Sequence, residues 1–302
     1  MLHILYGSQT GTTEEVANRI ARDAFYKGYT YQVMTMNEAL QIHEFKLAIF
    51  VCSTTGEGQE PDNMQKFWKY LRQRNLPSNL LVDLKFAVFG LGDSSYEKFN
   101  FAAKKLARRL EQLGGHQVIP RGDGDDQHSF GYEGALQPWL DQLWSSLPIL
   151  YCQFAGISPD PVKSFIPIAK LNPLGSYLPV AAPINAELTH SKRITNTEDP
   201  DVKDVRHLVF ETDLDYEAGD VAVVWPENSP EEVDELLACL GWDPESCFEI
   251  FPSRPEFRSP PHFPASLSIS LRALLTPFLD ILRPPSRYFF ELLSMHVSDS
   301  HP

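Results

Sequence analysis

Paired cysteines are missing from this sequence. Cys52, Cys152, Cys239 and Cys247 are scattered over 302 residues with no C-x-x-C spacing, which excludes the common zinc patterns. They read as reduced thiols of a cytosolic protein rather than as a disulfide framework. Positive charge is also in short supply. Twenty-six Lys and Arg face 40 Asp and Glu, and the net charge of −14 argues against a nucleic-acid footprint and suits a solvated surface or a basic partner. No apolar run approaches the roughly 18 residues that a membrane helix needs. The chain enters strand pattern directly at "LHILY", without a charged leader. These absences predict a cytoplasmic monomer with no nucleic-acid and no membrane partner. A hydrophobic content of 43% is enough for real cores, so disorder is not expected.

What is present in residues 1–147 is an alternation of strand and helix patterns. Apolar runs at Leu2–Tyr6, Tyr31–Met36, Leu47–Cys52, Phe86–Gly90 and Gln117–Pro120 predict strands. The third and fourth are apolar nearly throughout, as strands covered on both faces must be. Helices are predicted at Thr13–Phe25, Asp62–Arg72, Lys98–Leu113 and Ala135–Leu147, each with an apolar stripe such as Val16, Ile20 and Ala24. Five strands alternating with helices predict an α/β fold with a doubly wound parallel sheet. Ligands of such sheets sit beyond the carboxyl ends of the strands, where the strand order switches.

Three loops should therefore converge: "GSQTGTTEE" after the first strand, "STTGEGQEPDN" after the third and "GLGDSSYEKFN" after the fourth. The first can wrap a phosphate with backbone N–H groups and the hydroxyls of Ser8, Thr10, Thr12 and Thr13, while the next helix adds partial positive charge. It contains no lysine, which excludes the Walker loop, and no G-x-G-x-x-G, which points to a mononucleotide rather than a dinucleotide. Uncharged phosphate capture, two glycine-containing loops and an aromatic indicate a flavin. The plainer account is that Gly56, Gly58, Gly90 and Gly92 only make tight turns in a ligand-free domain. A metal or acid–base cluster at Asp125-Asp126-Gln127-His128 is disfavoured, because neighbours on one turn seldom converge.

The segments "GSQTGTTEEVA", "STTGEGQEPDN", "FGLGDSSYEKFNFAAKKL" and "GDDQ" together resemble the FMN-binding, flavodoxin-like domain of the diflavin reductases, relatives of the cytochrome reductases. The likeness is strongest to the soluble NADPH-dependent members that serve cytosolic iron–sulfur protein assembly. It implies that Ser8, Gln9, Thr10, Gly11, Thr12 and Thr13 hold the phosphate. It implies too that Ser53, Thr54, Thr55 and Gly56, with Leu91, Gly92, Asp93, Ser94, Ser95, Tyr96, Glu97, Lys98, Phe99 and Asn100, flank the ring and ribityl chain. The resemblance further implies that Asp126 lies at the ring edge and that Tyr96 is the stacking partner. Microsomal cytochrome reductases carry a tyrosine where this chain has Thr55, which implies less cover on the opposite flavin face. No catalytic side chain and no metal ligand is implied, because the flavin performs the chemistry.

Residues 148–182 are rich in proline and read as a linker, and 183–302 as a second domain. In the latter, strand patterns at Val205–Glu211 and Val221–Trp225 and helices at Leu236–Leu240 and Tyr288–Leu293 resemble an incomplete FAD-type β-barrel with a helical connecting segment. The family's R-x-Y-S segment, FAD pyrophosphate loop and NADPH domain are not found, so the resemblance implies a C-terminally truncated product that binds FMN but neither FAD nor NADPH. A started barrel exposes strand edges and apolar surface. Two functions follow as expectations. One is FMN-dependent electron transfer to an anamorsin-type iron–sulfur protein or a haem acceptor. The other is a non-catalytic isoform that occupies the acceptor's docking surface as a decoy or regulator.

Overall fold

The computed structural model describes residues 1–155, 169–174, 187–195, 204–213, 226–252, 267–282 and 287–294, and positions 159, 215, 217, 284 and 285. The strand expected at Val221–Trp225 lies outside the described residues. The chain divides into two compact units, residues 1–165 with 287–302, and residues 166–286.

The first unit is the expected doubly wound sheet. Its elements are β1 (Leu2–Gly7), α1 (Thr12–Tyr26), β2 (Tyr31–Thr35), β3 (Leu47–Ser53), α2 (Gln65–Leu71), β4 (Lys85–Gly92), α3 (Phe101–Gln112), β5 (His116–Gln117), β6 (Gly122–Asp125) and α4 (Glu133–Ala155). The strands run parallel in the order β2-β1-β3-β4-β5, with β6 also on β4. The order turns back between β1 and β3, so the crevice between their carboxyl ends, at Gly7 and Ser53, is the switch point. Strand alternation feeds two cores. Leu47, Ile49 and Val51 of β3 pack on one face with α1 and α4, and Ala48, Phe50 and Cys52 pack on the other with α2 and α3.

Three elements depart from the sequence pattern. The fifth strand position is filled by two short pieces, because β5 pairs with the start of β4 and β6 with its end, while the indole N–H of Trp139 donates to the Pro120 carbonyl in the gap. Helix α3 begins at Phe101 rather than at Lys98 because Asn100 is left-handed, at φ 51°. Helix α4 runs beyond Leu147 to Ala155, carried by Tyr151, which is buried and whose hydroxyl accepts the Thr30 N–H at 2.9 Å.

In the second unit, β7 (Ala169–Leu174), β10 (Cys247–Pro252) and β11 (Leu267–Ser270) form an antiparallel sheet, and β8 (Glu187–Arg193) pairs with β9 (Arg206–Glu211) as a separate ribbon. That ribbon leaves Leu188, Leu208, Val209 and Phe210 exposed among the described residues. Helices α5 (Pro230–Leu240) and α6 (Leu271–Leu275) enclose a small core of Val233, Leu237 and Leu275. A capping box between Ser229 and Glu232 starts α5. Helix α7 (Arg287–Ser294) belongs to the first unit, where Tyr288 and Glu291 meet Arg19 of α1. Among the described residues, no helix is long and apolar enough to cross a membrane.

Candidate functional site

The loops after β1, β3, β4 and β6 are tied to one another in series along the carboxyl rim of the sheet. The Ser8 N–H donates to Asn63 Oδ1 at 2.7 Å, and the Gln9 amide exchanges bonds with Asp62, joining the first loop to the second. The Thr54 N–H donates to the Leu91 carbonyl and the Thr54 hydroxyl accepts the Ala102 N–H, joining the second to the third. Asp125 Oδ1 accepts the Ser94 and Gln127 N–H groups, and the Asp126 N–H donates to the Gly92 carbonyl, joining the third to the fourth. Residues far apart in sequence thus form one rim. Asn63, which supports the first loop from the foot of α2, carried no expected role; the "EPDN" run that holds it was its only signal.

The first loop has the makings of an anion cradle. Gly11 precedes α1 at φ 101°, a conformation costly for any residue with a Cβ, and its N–H is taken by Ser8 Oγ at 3.0 Å. No side chain caps the helix. The amino-terminal N–H groups of a helix have no intrahelical acceptor, so they remain available. Thr13 is only 1% exposed, and its hydroxyl has no hydrogen-bond partner among the described residues. A buried orphan hydroxyl costs about 1–3 kcal/mol, so its place under an uncapped helix end fits an oxyanion that would satisfy both. Of the expected phosphate residues Ser8, Gln9, Thr10, Gly11, Thr12 and Thr13, all of which lie in this loop or the first turn of α1, Thr13 is the one whose buried hydroxyl fits such a group.

The remaining expected residues divide by placement. A cleft of about 580 Å³ opens beside the cradle and is lined by Gln9, Thr55 and Gly56 together with Gln59, Asp62 and Gln65. Thr55 and Gln59 bridge a tight turn in which Gly56 and Gly58 have positive φ. Ser53 and Thr54 lie at the end of β3, partly covered. Leu91, Gly92 and Asn100 form the floor of the third loop. A Cβ on Gly92 would stand 2.7 Å from Asn100 Oδ1, which is why glycine is needed there. Ser94, Ser95, Tyr96, Glu97 and Lys98 are exposed above that floor, Phe99 is partly covered, and Tyr96 is the most open aromatic among them at 68%.

The rim is electronegative. Hydrogen bonds from Ser95 hold the Asp93 carboxyl below the usual range, and Ser94 does the same for Asp125. Asp126 is pushed upward, by partial burial and then by the neighbouring Asp93 and Asp125. Among the described residues, no group of acidic, histidine and cysteine side chains forms a metal site. The four cysteines are free, and burial lifts the Cys52 thiol to about 12, so it is inert.

A model of the flavodoxin family matches residues 4–139, and a model of the FAD binding domain matches residues 180–301. NADPH-dependent diflavin oxidoreductase 1 of Danio rerio is 38% identical, over 98% of this chain and 53% of its own length. Its counterparts in Bos taurus and Arabidopsis thaliana are 36% and 34% identical, over 97% and 99% of this chain and 52% and 54% of theirs. Among solved structures, a mutant flavodoxin from Pseudomonas aeruginosa is 30% identical, covers 48% of this chain and 97% of its own, and superposes with a TM-score of 0.42. The chain spans about half the length of the curated relatives it matches. A flavodoxin model followed by an FAD-binding model, with relatives of one name matched along nearly the whole chain, makes this chain a member of the diflavin oxidoreductase family.

Proposed function

We propose that residues 1–147 hold FMN and relay electrons within an NADPH-dependent diflavin reductase system, from an FAD and NADPH module to an anamorsin-type iron–sulfur protein or a haem acceptor in the cytoplasm. The observation that carries this reading is the unpartnered, buried Thr13 hydroxyl beneath the uncapped start of α1. Bound there, FMN supplies the redox chemistry, and the protein supplies binding, orientation and electrostatics. Thr13 and the first-turn N–H groups hold the phosphate. Thr55, Gly56 and the Leu91–Asn100 loop bracket the ring, and the exposed Tyr96 is free to fold over it. Asp93, Asp125 and Asp126 discourage extra negative charge at the ring and steer a basic acceptor surface toward it.

An absorbance spectrum of the purified protein, followed by release and identification of the pigment, tests the reading. A yellow protein that yields FMN supports it. A colourless protein that takes up no added FMN overturns it. If that colourless protein still binds the acceptor, the decoy reading stands in its place.

A further inference from the structure

We propose that the α2–α3 face of the first unit is a docking surface for an acidic polypeptide segment, a run of aspartate and glutamate on a partner protein. The site goes beyond the flavin reading and sits at the other end of the sheet. The flavin loops follow the carboxyl ends of the strands, whereas this face gathers around the carboxyl ends of α2 and α3, next to where β4 begins at Lys85.

Charge is segregated to an unusual degree here. Residues 1–147 as a whole are nearly balanced, with 15 basic and 17 acidic side chains. Yet residues 65–82 hold Lys66, Lys69, Arg72 and Arg74 and no acid, and residues 101–110 of α3 hold Lys104, Lys105, Arg108 and Arg109 and no acid. The fold lays these two stretches side by side, because Phe67 and Leu71 of α2 share a core with Leu106 and Leu110 of α3. Between them opens a cleft of about 490 Å³ lined by Trp68, Arg72, Arg74, Lys105, Arg108 and Arg109.

Two of these cations already have work in the fold. Arg109 donates to the Leu71 and Gln73 carbonyls, closing the end of α2, and Lys105 pairs with Glu60. Arg72, Arg74 and Arg108 are exposed, and none has a carboxylate partner among the described residues. Three guanidinium forks are thus left on an open rim, in a chain whose net charge is −14.

The surroundings of the cleft select the occupant. A compact phosphate is best held by converging backbone N–H groups, as at a helix start. This cleft is instead bordered by helix carboxyl ends, whose carbonyls oppose concentrated negative charge. Separate guanidinium groups match separate carboxylates in bidentate pairs. Trp68, with the Lys105 ammonium 5.7 Å from its ring, gives the stem of such a segment an amphipathic wall. With the acidic flavin rim at the opposite end, the unit is dipolar, and an acidic and a basic partner can occupy it at once.

The test is fluorescence anisotropy of the full chain with a labelled peptide of about eight alternating Glu and Asp residues at about 50 mM salt, where surface pairing is weakly screened. The variant Arg72→Glu, Arg74→Glu, Arg108→Glu removes no side chain that closes a helix or lines the flavin rim, since Arg72 caps α2 through its backbone N–H. Its charge-matched control is Lys27→Glu, Lys192→Glu, Arg206→Glu, three exposed residues away from α2 and α3. Circular dichroism confirms that both variants fold. Peptide affinity should fall by about tenfold or more in the first variant, with loss of three charge-assisted contacts, and by less than about threefold in the control. Equal losses in both variants would reduce the effect to net charge and overturn the proposal. So would inorganic pyrophosphate binding that is sensitive to the arginine variant in a protein that does not bind the peptide.

Discussion

The guanidinium carbon of Arg19 lies 4.2 Å from the ring centre of Tyr288. Arg19 is 4% exposed, and it donates to both carboxylate oxygens of Glu133 and to Gln137, while Glu291 approaches at 3.3 Å. Arg22 donates to the Tyr288 hydroxyl from the same helix. These contacts fasten α7 to α1. Tyr288→Ala should therefore free the 287–294 segment, raising its amide exchange while costing the unit only about 1–2 kcal/mol. Arg19→Met should cost more, about 2–4 kcal/mol, because it strands Glu133 beside an apolar core. Urea unfolding of the two variants gives the comparison, and equal losses would mean that Arg19 matters only through α7.

Asp23 sits next to this clamp and should make stability depend on pH. Burial lifts its carboxyl to about 6 against the pull of Arg19, with Glu291 pushing the same way as burial and the Trp144 indole N–H and Lys27 opposing. A raised carboxylate pKa means that the folded state holds a proton which the unfolded chain has already lost. The unfavourable contribution is thus absent below about pH 4, grows as pH rises through about 6, and is complete at neutrality. Asp23→Asn keeps an oxygen for the indole and removes the charge. It should stabilise the protein at pH 7 by an amount on the order of 2 kcal/mol, with the advantage vanishing near pH 4. A pH series of unfolding midpoints for both proteins would show a constant difference if Asp23 were charged without penalty.

Thr13→Val separates the phosphate cradle from the fold. The hydroxyl has no partner among the described residues, so replacing it with a methyl of similar shape should leave stability without FMN unchanged or raise it by up to about 1 kcal/mol. If the hydroxyl meets the flavin phosphate, FMN affinity should drop by about 1–2 kcal/mol, roughly tenfold. Flavin titration and thermal melting of the same preparation read the two effects. Lower stability with unchanged affinity would place the hydroxyl in the core rather than in the cradle.

Much of this architecture is legible in the sequence because it rests on local chemistry. The apolar runs of β1, β3 and β4 need cover on both faces, and the loops between Gly7 and Thr13 and between Leu91 and Asn100 carry hydroxyls and glycines at the strand ends where a doubly wound sheet binds its ligand. What was not legible depends on distant partners. Helix α4 passes Pro148 because Tyr151 finds the Thr30 N–H, 121 residues away. The fifth strand breaks because Trp139 claims the Pro120 carbonyl, and Asn63 joins the rim only when β1 and β3 are already neighbours. Likewise, no periodicity announces that α7 belongs to the first unit, since its anchor on Arg19 spans most of the chain.

Tyr96 offers the sharpest test of where the ring lies. The side chain is 68% exposed, so the fold does not need it for packing. The turn that carries it is held from below, by the Tyr96 N–H donating to the Asp93 carbonyl and by the Asp93 and Asp125 carboxylates accepting the Ser95 and Ser94 N–H groups. Removing the ring therefore leaves the loop's backbone bonds in place. Tyr96→Ala should melt within about 0.5 kcal/mol of the parent, as surface changes do. Its FMN affinity should fall by about 1–3 kcal/mol, through loss of stacking and of buried ring area. Tyr96→Phe, which keeps the stacking face and drops the hydroxyl, should recover most of that loss. Fluorescence of bound flavin supplies an independent readout, because a tyrosine packed on the ring quenches it. Emission should brighten in the alanine variant and stay dim in the phenylalanine variant. Affinity and emission that do not change in Tyr96→Ala would place the flavin ring away from the third loop and leave the phosphate cradle at Thr13 to be explained by another anion.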